Sequence, residues 1–140
     1  MFYLDSSVLV CLFSNEARTR EIQISRAALE GERVWLSDWN LTEFSSAMSF
    51  KRRTAQISAE QRLNAEALLD VYLRLYPGIL AVRSEHFRYA ASIAGREDIN
   101  IRAADALHLA IAKESNATLC TLDAKMHQAA AILNIDSLKP

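Results

Sequence analysis

Short apolar runs alternate along the chain with longer stretches of helical periodicity. The short runs predict buried strands, and they are bounded by residues that favour turns or helix starts. Five such strands are predicted, at residues 2–4, 33–36, 79–82, 118–122 and, with a weaker pattern, 135–138.

Helices are predicted between these strands. One begins at Ser6, others cover residues 16–30, 40–53, 84–94, 102–114 and 124–133, and Gly31 and Gly95 end two of them. A capping box of Ser58 and Gln61 opens a further helix. The apolar stripe predicted for that helix consists of Leu68, Val71, Tyr72 and Leu75.

This alternation predicts an α/β fold with a mainly parallel sheet covered by helices on both faces. In such sheets the functional site lies at the carboxyl ends of the strands, near the point where the strand order reverses. With 140 residues, the chain has the size of a single domain, 1–140.

Composition narrows the functional classes. The net charge of -1 argues against a high-affinity DNA-binding module, which is usually strongly basic. An enzyme with a local basic patch is still compatible with it. Cys11 and Cys120 lie in apolar runs without metal-ligand spacing, which is typical of core residues in a reducing cytosol. The longest apolar run, residues 8–13, is too short to span a membrane, and no charged segment of a signal peptide precedes it.

Four acidic residues lie in sequence that otherwise resembles a protein core. They are Asp5, Glu43, Asp105 and Asp123. A lone buried carboxylate is costly. Asp5 and Asp123 directly follow predicted strands, so we expect them to emerge at one sheet edge, with the other two within reach.

Each acid also has an ordinary structural interpretation. Asp5 and Asp123 could cap the helices that follow them. Glu43 could complete a capping box with Asn40. Asp105 could simply favour the positive N-terminus of its helix.

These interpretations are weakest at Asp105, whose mostly apolar neighbours leave Arg102 as a local partner, and at Asp5, beside which Ser6 and Ser7 already supply caps. Four carboxylates at one edge would repel one another without a cation. They therefore predict a site for Mg²⁺ or Mn²⁺, which prefer carboxylate oxygens and bridge to phosphates.

Four motifs carry a family resemblance. They are residues 3–9 around Asp5, 41–44 around Glu43, 104–110 around Asp105, and 119–123, which end at Asp123. In this order they resemble the PIN-domain ribonucleases, specifically the VapC-like toxins of type II toxin–antitoxin systems, over the whole chain. The resemblance implies a three-layer PIN-like domain with a central, mainly parallel sheet of about five strands.

The resemblance also implies a function. We expect Mg²⁺-dependent endonucleolytic cleavage of RNA, often tRNA or rRNA, by a metal-activated water. Asp5 and Asp105 would be the principal metal ligands, with Glu43 and Asp123 completing the pocket. Ser6 and Thr121 would support the carboxylates through hydrogen bonds. A small antitoxin partner, a homodimer and a prokaryotic cytoplasmic location are implied as well.

Other interpretations are open at this stage. The chain could be a PIN nuclease of RNA processing that is not a toxin, or a silent PIN-like module that binds RNA or protein. Lys51, Arg52 and Arg53 could bind RNA phosphates or form a solvated helix end, and Arg18 and Arg20 could line the opposite wall of a groove.

His108 follows Asp105 by three residues, so the two could share a helix face. A catalytic or metal-binding role is one interpretation of His108. A hydrogen-bonded core histidine is the more ordinary one.

Overall fold

The computed structural model describes residues 1–14, 33–75 and 78–139. Its strands are β1 (Phe2–Leu4), β2 (Val34–Ser37), β3 (Ile79–Leu80), β4 (Thr118–Cys120) and β5 (Ser137–Leu138). Its helices are α1 (Ser6–Phe13), α2 (Asp38–Arg53), α3 (Ala59–Leu75), α4 (Ser84–Ala94), α5 (Ala103–Glu114) and α6 (Ala124–Ile132).

The five strands form one parallel sheet in the order β3-β2-β1-β4-β5. In the centre, Tyr3 of β1 lies beside Trp35 of β2 on one side and Leu119 of β4 on the other. Strands β2 and β3 lie on one side of β1, whereas β4 and β5, which come later in the chain, lie on its other side. The strand order therefore reverses between β1 and β4.

Alternate residues of each strand point to opposite faces of a sheet, and this divides the core in two. Tyr3 and Leu119 pack with apolar residues of α4, α5 and α6. Leu4 and Cys120, the next residues along, pack with apolar residues of α1, α2 and α3. The three-layer α/β fold predicted from the sequence is confirmed.

Most predicted elements are present with shifted ends. Helix α2 begins at Asp38 rather than residue 40, because Ser37 caps it. The last three predicted strands are shorter, ending at Leu80 and Cys120 and beginning at Ser137. The predicted helix at 16–30, with Arg18 and Arg20, lies outside the described residues.

Helix α3 confirms its predicted start but not its predicted buried face. The backbone N–H of Ser58 donates to Gln61 Oε1 (2.7 Å), and that of Gln61 donates to Ser58 Oγ (3.1 Å). Of the predicted stripe only Tyr72 is buried, and the other three side chains, Leu68, Val71 and Leu75, are 52%, 51% and 67% exposed. The helix instead buries Ala65 and Leu69 together with Tyr72. Both rows of residues have helical spacing, so the apolar pattern alone does not show which of them faces the core.

Both cysteines are buried in the core, and no disulfide joins them. Burial and the charge of Asp5 raise the pKa of Cys120 to about 12, so its thiol is protonated and unreactive at neutral pH. None of the helices in the described part of the chain is long and apolar enough to cross a membrane.

Candidate functional site

The candidate site lies where the strand order reverses. Asp5 directly follows β1. Thr121 and Asp123 follow β4, which is the strand next to β1 in the sheet. The backbone N–H of Asp5 donates to the carbonyl of Cys120 (3.0 Å), which continues the ladder between the two strands to their carboxyl ends. This is the edge at which parallel α/β sheets place their ligands.

Asp5 is buried, with 1% of its surface exposed, and is held by three donors. Oδ1 accepts from the Ser7 hydroxyl (2.6 Å) and the Val8 backbone N–H (3.1 Å), and Oδ2 accepts from the Thr121 hydroxyl (2.6 Å). Asp5 is therefore the N-cap of α1. Ser7, suggested as the alternative cap, instead donates to the carboxylate. A carboxylate has about four acceptor positions, which leaves one on Oδ2.

Glu43 is not part of a capping box. The box at the start of α2 pairs Ser37 with Asn40, whose Oδ1 accepts from the Ser37 backbone N–H (2.8 Å). The Glu43 side chain points across the sheet edge, where Oε2 accepts from Ser6 Oγ and from His108 Nε2, both at 2.6 Å.

The surroundings of Glu43 favour its ionised form. Desolvation by burial is the largest influence and raises the Glu43 pKa. It is outweighed by the hydrogen bond and positive charge of His108 and the hydrogen bond from Ser6, so the pKa is lowered. The nearby Trp39 indole contributes in the same direction, although its buried Nε1 makes no hydrogen bond of good geometry with the residues that the structure describes.

A closed ring of hydrogen bonds surrounds these contacts. The Tyr3 hydroxyl lies 2.7 Å from His108 Nδ1 and 2.8 Å from Ser37 Oγ. Ser37 Oγ donates to Asn40 Oδ1 (2.9 Å). The Asn40 amide donates to Ser6 Oγ (3.3 Å), and Ser6 donates to Glu43. The contact from His108 to Glu43 closes the ring.

The direction of each bond in the ring follows from counting hydrogens. The Asn40 amide nitrogen also donates to the Leu4 carbonyl (3.0 Å), so its oxygen is the acceptor for Ser37. Ser37 has one hydroxyl hydrogen and must accept from Tyr3. Tyr3 in turn must accept from His108 Nδ1. His108 Nδ1 therefore carries a hydrogen, and one further proton lies between His108 Nε2 and Glu43 Oε2.

Asp105 is the acid without a partner. It is half-buried at the start of α5 and, within the described parts of the chain, its carboxylate makes no hydrogen bond or ion pair, including with Arg102. Desolvation by burial and the negative charge of Asp123 raise its pKa. Glu43 and Asp5 add to the increase, and His108 opposes it. The four acids therefore interact electrostatically around Asp105.

Asp123 is exposed, which makes the prediction that all four acids lie in the core wrong for this residue. It caps α6, because Oδ1 accepts from the backbone N–H groups of Lys125 (2.7 Å) and Met126 (3.0 Å). Its other oxygen accepts no hydrogen bond from the described residues. Thr121 connects it to Asp5, since Thr121 Oγ1 accepts from the Asp123 backbone N–H (3.0 Å).

The donor chemistry of the site fits a hard divalent cation, although the arrangement is open. Across residues 1–14, 33–75 and 78–139, no three Asp, Glu, His or Cys side chains lie close enough together to form a ready-made metal site. The negative charges of Asp123, Glu43 and Asp5 nevertheless act on the Asp105 carboxylate, and their repulsion is what a cation would relieve.

The basic run Lys51, Arg52 and Arg53 forms the last turn of α2, where cations complement the helix dipole. Arg53 also lines a cavity of about 690 Å³ that has Ser6 and Glu43 in its wall. The structure thus connects one member of the basic run to the acids.

Comparison with known proteins identifies the family. The family model described as PIN domain matches residues 2–132. The chain belongs to the PIN-domain family. No curated protein sequence shows a significant match.

Solved structures share the fold at low sequence identity. A structure of FitAcB from Neisseria gonorrhoeae is 22% identical with a TM-score of 0.76, covering 100% of this chain and 98% of that one. A structure of VapBC2 from Rickettsia felis, bound to a DNA fragment from their promoter, is 19% identical with a TM-score of 0.70. The match covers 99% of this chain and 98% of that one. VapC20 from Mycobacterium tuberculosis, described as a sarcin-ricin loop cleaving toxin, is 15% identical with a TM-score of 0.66, covering 100% of each chain.

Three members of the ring, Tyr3, Ser37 and Asn40, are not predicted from the sequence as part of the site, and Asn40 is paired there with Glu43 instead of Ser37. Tyr3 was assigned to the core, where it is indeed fully buried, but its hydroxyl needs a partner there. The spacing of Ser37 and Asn40 is that of a capping box and could have been noticed. Their contacts with Tyr3 and Leu4 of β1 and with Ser6 of α1 depend on how the sheet is assembled and carry no local signal.

Proposed function

We propose that this chain is a Mg²⁺-dependent endoribonuclease, the toxin of a prokaryotic toxin–antitoxin pair, which acts in the cytoplasm on tRNA or rRNA. The observation that carries this proposal is the Asp105 carboxylate, which makes no hydrogen bond or ion pair with the described residues and whose pKa is raised by burial and by the charges of the three other acids. A group in this position is unfavourable for stability alone and suited to binding a cation.

Asp5, Asp105, Glu43 and Asp123 would hold the metal, with Mn²⁺ as a substitute. When bound, the ion would supply an activated water and neutralise charge on the scissile phosphate. The chain's own residues keep the ligands in place. Thr121, Ser7 and the Val8 backbone fix Asp5, and Ser6 and His108 fix Glu43. Such supporting bonds orient metal ligands.

Partners are proposed by similarity. VapC20 is described as a toxin, and VapBC2 was solved on a DNA fragment from their promoter, which supports a small antitoxin as the partner of this chain, and we propose a homodimer with it. Lys51, Arg52 and Arg53 are proposed to bind RNA phosphates. The second candidate function is that of a PIN domain outside a toxin–antitoxin pair, either as an RNA-processing nuclease or as a silent binding module.

The test is incubation of the purified protein with total RNA under three conditions: Mg²⁺, EDTA, and EDTA followed by excess Mg²⁺. We expect discrete cleavage products with Mg²⁺, none with EDTA, and recovery when Mg²⁺ is restored. RNA binding without cleavage in all three conditions would favour the silent module. Growth arrest on expression, relieved by a neighbouring small gene, would distinguish a toxin from a processing nuclease.

A further inference from the structure

One face of α2 extends from the acids into the cavity of about 690 Å³. Glu43, Ser46, Phe50 and Arg53 recur at intervals of three or four residues and all line it. The ten positions from Glu43 to Arg53 correspond to about 15 Å along the helix axis. The cavity therefore leads away from the acids toward a positively charged end.

Phe50 is an unusual lining residue because it is 53% exposed beside polar groups. A single exposed aromatic residue is common and by itself means little. Here, however, Phe50 precedes Arg53 by about one helical turn, and the Arg53 guanidinium makes no ion pair with the described residues. The remaining wall includes the apolar side chains of Val10 and Leu122.

An exposed aromatic ring next to an unpaired cation is the combination with which proteins hold single-stranded nucleic acid. Bases stack on aromatic side chains, and arginine binds the phosphates. A base inside a duplex cannot reach such a ring, because it is already stacked on its neighbours.

We propose that this cavity is a nucleotide subsite, in which a base of single-stranded RNA stacks on Phe50 while an adjacent phosphate binds Arg53. The subsite rests on the proposed function, since it delivers the strand to the acids beside Ser6 and Glu43. It gives the nuclease a requirement for an unpaired nucleotide at a fixed distance from the scissile bond.

The subsite is tested by the binding of a short, fluorescein-labelled oligoadenylate, measured in EDTA so that no cleavage occurs. Phe50→Ala should weaken binding about 5- to 100-fold, and Phe50→Tyr should restore most of it. Arg53→Gln should lower the slope of log K against log salt by about 0.7, the value for one phosphate contact on a single strand. Phe50→Ala should leave that slope unchanged.

The matched controls are Phe87→Ala and Arg74→Gln. Phe87 is also 53% exposed but lies on α4, on the opposite face of the sheet, and Arg74 is an exposed arginine at the end of α3. Both variants should bind like the unsubstituted protein. A duplex of the same length should show no dependence on Phe50.

Two results would overturn the subsite: no binding of single-stranded RNA by the unsubstituted protein, or equal binding by Phe50→Ala, Arg53→Gln and the controls. If the unsubstituted protein still cleaves RNA with Mg²⁺, the proposed nuclease function survives that outcome. If binding follows the expected pattern but Mg²⁺ produces no cleavage, the subsite stands and the nuclease function fails.

Discussion

His108 Nε2 lies 2.6 Å from Glu43 Oε2 and joins helices on opposite faces of the sheet. On its other side, the His108 ring is held by the buried hydroxyl of Tyr3, in the central strand. The orientation of Glu43 is thus coupled to the sheet through a side chain that is 1% exposed. His108 is a positioning residue for Glu43 in the proposed site.

Two substitutions of His108 separate its contacts. The amide nitrogen of Gln overlaps Nε2 of histidine, whereas that of Asn overlaps Nδ1 and does not reach Glu43. We expect His108→Asn to reduce RNA cleavage about 10- to 100-fold, with a higher Mg²⁺ concentration needed for half-maximal rate. His108→Gln should retain more activity. Equal Mg²⁺ dependence in both variants and in the unsubstituted protein would contradict a positioning role.

Asp105 should destabilise the metal-free protein. Its pKa is raised in the folded state, so the folded protein binds more protons than the unfolded chain, and stability falls as pH rises through the folded-state pKa. In EDTA at pH 7, Asp105→Asn should therefore unfold at a higher temperature than the unsubstituted protein. The difference should disappear below the ordinary aspartate pKa of about 3.9.

The control for this measurement is Asp70→Asn, at an exposed position on α3. It makes the same chemical change away from the site and should leave the melting temperature nearly unchanged. A lower melting temperature for Asp105→Asn in EDTA at pH 7 would show that the carboxylate has a stabilising partner.

Millimolar Mg²⁺ should raise the melting temperature of the unsubstituted protein. A ligand that binds only the folded state stabilises it by about 2.7 kcal/mol at 100 times its dissociation constant. Asp105→Asn should show a much smaller rise. An unchanged melting temperature with both Mg²⁺ and Mn²⁺ would count against the carboxylate pocket.

Thr121 should stabilise the fold through Asp5. Its buried hydroxyl donates to Oδ2 at 2.6 Å, and Thr121→Val keeps the shape while removing this donor together with the acceptor for the Asp123 backbone N–H. A hydrogen bond to a charged group contributes about 1.5–3 kcal/mol, and we expect a loss of that size in urea denaturation. Thr118→Val, in the preceding strand β4, is the control. Equal losses in the two variants would contradict this role.

The same contacts make Asp5→Asn a poor test of chemistry. An amide at this position would place a donor opposite one of the three groups that already donate to Asp5. Loss of activity could then follow from a weakened fold. Asp105 has no such contacts among the described residues, so its substitution changes charge with little disturbance of structure.

The sequence predicted what depends on local pattern: the alternation of elements, the parallel sheet, and the edge at which Asp5 and Asp123 emerge. It did not predict the ring around Glu43, because Tyr3 meets Ser37 and His108 across 34 and 105 positions of the chain. The exposure of Asp123 was also missed, since an apolar strand before an acid does not determine whether the following turn is covered.

The most direct test of the account is RNA cleavage with Mg²⁺ by the unsubstituted protein, Asp105→Asn and Asp70→Asn, after matched thermal unfolding shows that all three are folded. We expect cleavage by the unsubstituted protein and by Asp70→Asn, and a loss of at least about 100-fold for Asp105→Asn, in the range seen when charge stabilisation is removed from an active site. Undiminished cleavage by Asp105→Asn would contradict the assignment of the acids as the catalytic centre.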